Sequence, residues 1–201
     1  MSIDLNAYSF DEWVAFVFDH PISDPEWYFL DEWEWRGDPE IILNNFLQLL
    51  KNPEFLIVRY NAKQVEQGFW FLLGPSGKLS DWLWDQNISW ELRKECIAAM
   101  VNVFEKLFTK TPLGETYFMW WDLFRTFEEN PDEKVNDAKF ESLSQILNLN
   151  SIHCQKSALH GLGHSTHPQK AEIIRRFLEE HPDIDDEMKS YALAAINGTV
   201  L

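Results

Sequence analysis

Two segments near the C-terminal end of the chain carry the same pattern, 34 residues apart. Residues 158–163 read Ala-Leu-His-Gly-Leu-Gly, and residues 192–197 read Ala-Leu-Ala-Ala-Ile-Asn. An amphipathic segment at about 169–180 lies between them. Two copies of a small and branched apolar core, joined by a turn and a second helix, are typical of a helical hairpin repeat. The repeat therefore predicts a fold of stacked helices, and such stacks commonly serve as binding surfaces.

Helix-start signals are regularly spaced in the N-terminal third. The tripeptides at residues 24–26, 38–40 and 52–54 read Asp-Pro-Glu or Asn-Pro-Glu, 14 residues apart. The first residue caps free backbone N–H groups, proline suits the first helical turn, and glutamate favours the positive end of the helix dipole. A Ser-x-x-Glu capping box at residues 9–12 marks another start. These signals predict four short helices, at 10–19, 25–35, 39–51 and 53–59.

Apolar residues at helical spacing continue through the rest of the chain. They predict further helices at 62–73, 90–108, 115–129, 137–149, 152–164, 169–180 and 185–197. The helix at 115–129 is apolar on nearly every side, which predicts a central position. No segment has a convincing strand pattern. The sequence therefore predicts one all-α domain over residues 1–201, with acidic helices in residues 1–60.

Four segments between residues 60 and 200 resemble a bacterial family of all-helical proteins. They are the runs at 67–72 (Gln-Gly-Phe-Trp-Phe-Leu), 93–97 (Arg-Lys-Glu-Cys-Ile), 119–122 (Met-Trp-Trp-Asp) and 160–164 (His-Gly-Leu-Gly-His). Residues 154–164, followed by 191–195, also resemble the small-residue core of HEAT-like repeats, in which antiparallel helix pairs stack side by side. The resemblance implies a HEAT-like α-solenoid, clearest at residues 152–198. It implies no particular chemistry, because no activity is firmly tied to that family.

The composition predicts a bulky aromatic core, since the chain contains ten Trp, fifteen Phe and five Tyr residues. The two cysteines, Cys96 and Cys154, lie in apolar helical patterns and are expected to be small buried residues rather than a disulfide or metal ligands. Residues 1–4 lack the features of a secretory signal, and no window is long and apolar enough for a membrane span. The expectation is a soluble cytoplasmic protein with no cofactor.

The formal net charge is −16, and much of it lies at the N-terminal end. Residues 1–40 hold eleven acidic residues and one basic residue, a net charge of −10. Such a field repels nucleic-acid phosphates and anionic membranes. It favours a basic protein partner, although an acidic surface also serves simply to keep a protein soluble.

Acidic residues and tryptophans alternate in one short segment, which consists of Asp31, Glu32, Trp33, Glu34 and Trp35. Exposed tryptophan beside carboxylates is typical of protein-binding hot spots, where aromatic rings anchor the partner and charges steer it. The plainer alternative is an amphipathic helix that buries one of the two tryptophans. We take this segment as the predicted partner-binding site.

A histidine cluster is the one motif that suits a metal or catalytic hypothesis. On a helix, His160 and His164 share a face at i,i+4, a spacing with which two imidazoles bind one zinc ion, and His167 or His153 is a candidate third ligand. The intervening glycines weaken a helix where rigid ligands are wanted. The repeat also aligns His160 with Ala194, an ordinary position on a helix face. The preferred interpretation is structural, with His164 at a helix end and His167 in a turn.

Trp120, Trp121 and Asp122 suggest a ligand-stacking site. In a helix that is apolar nearly all round, however, adjacent aromatic residues more often belong to the core. Asp122 is then expected to lie beside the rings and to accept a hydrogen bond from an indole N–H group. The sequence contains no phosphate-binding loop and no nucleophile elbow, so no catalytic residue is predicted.

These observations predict a non-enzymatic protein-binding module. Its most specific form is a bacterial immunity protein, or antitoxin, that neutralises a cognate basic toxin by steric occlusion through residues 31–35. Small size, strong acidity, a helical-repeat scaffold and the lack of catalytic motifs fit this function. The alternatives are a general HEAT-like scaffold or adaptor, and a metal-dependent enzyme that uses His160, His164 and His167.

Overall fold

The computed structural model describes residues 2–30, 34–124 and 132–200, and these residues form an all-α fold, as predicted. The α-helices within the described ranges are α1 (Phe10–Phe18), α2 (Pro39–Lys51), α3 (Leu56–Arg59), α4 (Ala62–Leu73), α5 (Leu79–Trp84), α6 (Trp90–Val103), α7 (Thr116–Leu123), α8 (Glu133–Leu147), α9 (Ile152–Gly163), α10 (Lys170–Glu180) and α11 (Asp186–Asn197). Two short strands, β1 (Ile3–Asp4) and β2 (Trp35–Arg36), pair in parallel, with Ile3 opposite Trp35.

Local capping signals place several helix ends where the sequence predicts them. The Ser9 hydroxyl accepts a hydrogen bond from the Glu12 N–H group, and the Glu12 carboxylate accepts one from the Ser9 N–H group. The Asp38 carboxylate accepts from two N–H groups at the start of α2. At the other end of the chain, Gly198 follows α11 with a φ of 69°, a left-handed conformation that glycine adopts without steric cost. These ends are set by neighbouring residues, and the predicted starts of α1 and α2 are confirmed.

The predicted helix at 25–35 is wrong. A single 3₁₀ turn covers Trp27–Phe29, residues 31–33 lie outside the described ranges, and Trp35 belongs to β2. The Trp27 side chain is 3% exposed, and its ring lies 4.7 Å from that of Phe71 on α4. The Ile3 N–H group donates to the Glu34 carbonyl oxygen. Burial of Trp27 and pairing with β1 therefore override the local helix-start signal.

Other helix boundaries also differ from the predicted ones. The sequence missed α5, a helix too short to show a clear period. α8 begins at Glu133 rather than at the predicted residue 137, and Asp132 caps it by accepting from the Lys134 N–H group. α6 passes into a π-helical turn at Phe104–Phe108 rather than continuing as an α-helix. α7 ends at Leu123, and the predicted helix beyond residue 124 lies outside the described residues.

Eight of the described helices form two rows of contacting neighbours. One row contains α2, α6, α8 and α10 in that order, and the other contains α4, α7, α9 and α11. α8 packs against α9 and α10 packs against α11, so these consecutive pairs join the rows. α9 and α11 begin at Ile152 and Asp186, 34 residues apart, the same spacing as the two matching segments of the sequence. The HEAT-like solenoid itself stays a prediction, because contacts between neighbours do not define a superhelix.

Aromatic rings fill the centre of the molecule. Trp120 on α7 is 0% exposed, and its ring centroid lies 5.3 Å from that of Phe69, 5.6 Å from Phe108 and 5.8 Å from Phe104. These edge-to-face pairs join α4, α7 and the π-helical turn. The predicted aromatic core is confirmed, and the helix at α7 is central to it.

Both cysteines are free and buried, as predicted. The Cys96 thiol lies 3.4 Å from the Leu43 carbonyl oxygen on α2, and the Cys154 thiol lies 3.7 Å from the Phe104 carbonyl oxygen. Burial raises the pKa of Cys96 to about 12 and also raises the pKa of Cys154. Both thiols are therefore protonated at neutral pH and act as small apolar side chains.

Candidate functional site

Side chains from three helices meet around one buried histidine. His160 on α9 is 2% exposed. Its Nε2 atom lies 2.9 Å from Asp122 Oδ2 on α7, and its Nδ1 atom lies 2.7 Å from the Tyr191 hydroxyl on α11. The helix-face position predicted for His160 is thus the contact point of α7, α9 and α11. We refer to Asp122, His160, His164 and Tyr191 as the histidine cluster.

The proton positions within the histidine cluster follow from the types of its groups. A carboxylate only accepts hydrogen bonds, so the Nε2–H group of His160 donates to Asp122. Burial, followed by the charge of Asp122, raises the pKa of Tyr191 to about 12. The Tyr191 hydroxyl therefore keeps its proton at neutral pH, and it donates a hydrogen bond to His160 Nδ1 when the imidazole is neutral. The result is a chain of two hydrogen bonds that orients the imidazole ring.

His164 brings a second imidazole to the same carboxylate. It caps the C-terminal end of α9, as predicted, and its side chain is 28% exposed. Its Nε2 atom lies 3.6 Å from Asp122 Oδ1, and its ring centroid lies 4.6 Å from that of His160. One potential ligand atom from each of Asp122, His160 and His164 lies within 4.8 Å of the other two.

Gly161 allows α9 to approach α7 closely enough for these contacts. A Cβ atom at this position would lie 2.8 Å from Trp121 Cγ and 2.6 Å from Leu143 Cδ2, distances that require the neighbours to shift. Trp121 directly precedes Asp122 on α7. α9 remains helical through Gly161. The glycine permits the close packing that brings His160 to Asp122.

Replacing Gly161 by alanine is expected to lower the free energy of unfolding by about 1–3 kcal/mol, because overpacking a buried contact costs more than the gain in helix propensity. Urea unfolding followed by circular dichroism measures this difference. The matched control is Glu179→Ala on the exposed face of α10, for which a change within about 0.5 kcal/mol is expected. A neutral or stabilising effect of Gly161→Ala would contradict the packing role.

The structure brings together only part of the histidine set that the sequence suggested. His167 lies in the turn between α9 and α10, as predicted, but its ring stacks on Phe140 at 3.7 Å and its Nε2 atom is 3.5 Å from Asp137 Oδ1. His153 is exposed, with its ring 5.4 Å from that of Tyr117. Neither residue belongs to the histidine cluster, so the three-histidine metal set is wrong.

Asp122 and Tyr191 contact His160, and the sequence predicted neither contact. The predicted hydrogen bond from an indole to Asp122 is wrong for Trp120, whose Nε1–H group faces Met100 Sδ at 3.4 Å. The Trp121 Nε1–H group is buried without a partner among the described residues. The repeat aligns His160 with Ala194, and Tyr191 lies one helical turn before Ala194. This alignment is the sequence signal that could have pointed to Tyr191.

A second feature is an open groove between the N-terminal segment and α4. Its volume is about 520 Å³, and it is lined by three acids and three aromatic rings, namely Glu26, Glu66, Glu115, Tyr28, Phe29 and Trp70. Phe29 is 63% exposed. We refer to this feature as the acidic groove.

Charge and unused hydrogen-bonding capacity characterise the acidic groove. Lys63 is the one cation among its lining residues, and its Nζ atom lies 3.0 Å from Glu66 Oε2. Burial, followed by the charges of Glu26 and Glu66, raises the pKa of Tyr28 to about 12. Gln67 also lines the groove; its side chain is 4% exposed, and its Oε1 atom accepts no hydrogen bond from the described residues. The acidic groove therefore favours a ligand that is cationic and donates hydrogen bonds.

The predicted partner-binding segment at 31–35 is described only in part. Asp31, Glu32 and Trp33 lie outside the described residues. Glu34 is exposed, whereas Trp35 is half-buried and its Nε1–H group donates to the Ser76 carbonyl oxygen at 3.1 Å. The ring of Trp35 also lies 5.9 Å from that of Trp82. Trp35 therefore packs within this chain, and the role of the segment in binding stays a prediction.

No protein-family model matches this chain, and no curated protein or solved structure matches it. The resemblance to HEAT-like repeats and to a bacterial helical family therefore stays an expectation. In the described part of the chain, every helix is too short or too polar to cross a lipid bilayer.

Proposed function

We propose that this chain is a non-enzymatic protein-binding module that takes a basic protein partner at its acidic groove. The observation that carries this proposal is the combination of three carboxylates with exposed aromatic surface around one open groove. Aromatic rings anchor a partner, and the surrounding carboxylates favour a partner surface of positive charge. The net charge of −16 supports a partner of opposite charge.

An arginine or lysine side chain of the partner is the group that fits the acidic groove. A guanidinium group has five N–H donors, which match the Glu26 and Glu115 carboxylates and the unused Gln67 Oε1 atom. The aromatic faces of Phe29 and Trp70 suit the same cation through stacking and cation–π attraction. Pairing with two or more of these groups would stabilise the complex more than any single surface ion pair does.

The most specific form of the proposal is an immunity protein that acts in the cytoplasm and neutralises a cognate basic toxin by steric occlusion. An acidic inhibitor is attracted to a basic active-site cleft, so electrostatic steering raises the association rate. Residues 31–35 stay the second candidate contact, the one that the sequence predicts.

The proposal is tested with the protein encoded beside this chain's own gene. Co-expression with that neighbour is expected to protect cells from its toxicity, and the purified proteins are expected to form a complex. Association should slow as salt is added, because ions screen the steering field over about 10 Å at 0.1 M salt. The double variant Glu26→Lys/Glu115→Lys should associate roughly 10-fold or more slowly at low salt.

A matched control separates local contacts from net charge. Glu179→Lys/Glu180→Lys changes the net charge by the same amount, but at the exposed C-terminal end of α10. It should slow association much less than the groove variant does. Equal effects of the two variants would place the contact elsewhere, and the lack of both protection and a complex would refute the immunity function.

A general scaffold or adaptor function is the alternative. The two functions differ in toxicity: a scaffold would bind a neighbour that does no harm when it is expressed alone. Binding at the acidic groove without protection would therefore favour the scaffold.

A further inference from the structure

The histidine cluster combines three groups that together suit a transition-metal ion. We propose that Asp122, His160 and His164 bind one Zn²⁺ ion between α7 and α9. Two imidazoles and one carboxylate are a ligand set of zinc sites in which three protein groups leave a fourth position for water. This binding site lies outside the acidic groove and is independent of the proposed partner.

The distances are close to those that zinc requires. With zinc bonds of about 2.0–2.1 Å and tetrahedral angles, neighbouring ligand atoms lie about 3.4 Å apart. His160 Nε2 is 2.9 Å from Asp122 Oδ2, and His164 Nε2 is 3.6 Å from Asp122 Oδ1. These values bracket the expected separation, and all three residues keep a ligand atom within 4.8 Å of the others. Small side-chain rotations therefore suffice to place the three atoms around one ion.

The positions of the two histidines on α9 leave room for such rotations at His164 and restrict them at His160. His160 and His164 are one helical turn apart on α9, so their rings face the same neighbour. His160 is held in the core, while the half-exposed His164 side chain at the helix end has room to adjust. The exposed side of His164 also gives the ion a path from solvent and a place for the water ligand.

Tyr191 supplies a supporting hydrogen bond to the proposed site. Metal binding at His160 Nε2 requires the proton now on that nitrogen to move to Nδ1, so the neutral imidazole keeps one proton. The Nδ1–H group then donates to the Tyr191 oxygen, which lies 2.7 Å away. The Tyr191 hydroxyl rotates so that its hydrogen points away from Nδ1. Histidine ligands in metal sites commonly donate their second N–H group in this way, which fixes the orientation of the ring.

Zinc is favoured over the hard cations by the same ligand chemistry. Ca²⁺ and Mg²⁺ prefer six or more oxygen ligands or ordered waters, and the cluster offers a single carboxylate. Imidazole nitrogen suits Zn²⁺ and its transition-metal neighbours. A large excess of Mg²⁺ is therefore expected to leave zinc binding unchanged.

The test uses the full chain after treatment with a chelator and dialysis. Titration with Zn²⁺ in a calorimeter is expected to give one saturable site per chain, and the same addition should raise the thermal unfolding midpoint, since an ion that binds the folded state stabilises it. His164→Ala should abolish the shift in midpoint and weaken binding by about 100-fold or more. The half-exposed position of His164 makes this variant compatible with folding, which circular dichroism checks, and His164→Gln replaces it if helix content falls.

His153→Ala is the matched control, because His153 is an exposed histidine on the same helix but outside the cluster. It should bind Zn²⁺ like the original chain. Tyr191→Phe should keep the stoichiometry and weaken binding by about 10–100-fold, the usual effect of losing a supporting hydrogen bond. The proposal is overturned if the original chain shows no saturable site, if His164→Ala binds as well as the original chain, or if His153→Ala loses binding equally.

Discussion

Replacing Asp132 by alanine is expected to lower the free energy of unfolding by about 3–5 kcal/mol, because it leaves a buried arginine without its counter-charge. Asp132 Oδ2 lies 3.2 Å from an Arg93 guanidinium nitrogen, and the Arg93 side chain is 3% exposed. Arg93 would keep its hydrogen bonds to the carbonyl oxygens of Ile88 and Leu83, which do not neutralise its charge. The variant also loses the cap of α8. Urea unfolding measures the total.

Two further variants separate the causes. Asp132→Asn keeps a capping oxygen and removes the charge. The unfolding free energy that this variant loses therefore measures the contribution of the ion pair. Glu172→Ala breaks the exposed ion pair in which Glu172 Oε1 lies 3.3 Å from a guanidinium nitrogen of Arg176. This variant should lower the free energy of unfolding by at most about 1 kcal/mol. A loss in Asp132→Ala no larger than that in Glu172→Ala would show that the buried pair does not hold α6 to the start of α8.

Replacing Trp120 by alanine is also expected to lower the free energy of unfolding by about 3–5 kcal/mol, the range for removing a large buried aromatic side chain. The ring contacts Phe69, Phe104 and Phe108 from one fully buried position. Its loss leaves a cavity where α4, α7 and the π-helical turn meet. Chemical unfolding gives the magnitude, and loss of the near-ultraviolet circular dichroism signal would report loosened aromatic packing.

Trp120→Phe is the graded comparison, since it retains part of the ring volume and should cost less than alanine. Val58→Ala is the surface control: Val58 is 86% exposed, and a change within about 0.5 kcal/mol is expected. If Trp120→Ala and Val58→Ala were equally stable, the centre of the core would lie elsewhere.

The sequence predicts most of the helices because their signals are local. Ser9 and Asp38 act on backbone groups within a few residues, and each forms the predicted cap. The amphipathic pattern of α10 likewise gives the correct helix. The helix at 25–35 fails because Trp27 and β2 gain more from distant partners than the capping signal provides.

The repeat predicts the register of α9 and α11 but not the exposure of their residues. Ala158 and its aligned residue Ala192 are both fully buried. Leu159 is buried, whereas the aligned Leu193 is 54% exposed. The difference arises because α9 has α7 and α8 as further neighbours, while α11 is the last helix of its row. A periodic sequence therefore specifies which residues share a face, and the number of neighbours decides which faces are buried.

The candidate sites show the same division between local and distant causes. The i,i+4 spacing of His160 and His164 follows from the sequence alone. That Asp122 rather than His167 joins them depends on the close approach of α9 to α7, which Gly161 permits. The acidic groove likewise combines Glu26 with Glu66 and Glu115, residues that are far apart in the chain, and the sequence indicated only their charge.

By itself, the amino-acid sequence determined the helical class, most of the helix ends, the aromatic core and the acidic character of this protein. Each depends on composition or on groups within one or two helical turns. Only the tertiary structure decided which side chains meet, because a contact between α7 and α9 or between the N-terminal segment and α4 depends on packing across the whole core. The periodicity of a sequence indicates which residues share a face of a helix. It does not indicate which other helix or side chain that face contacts.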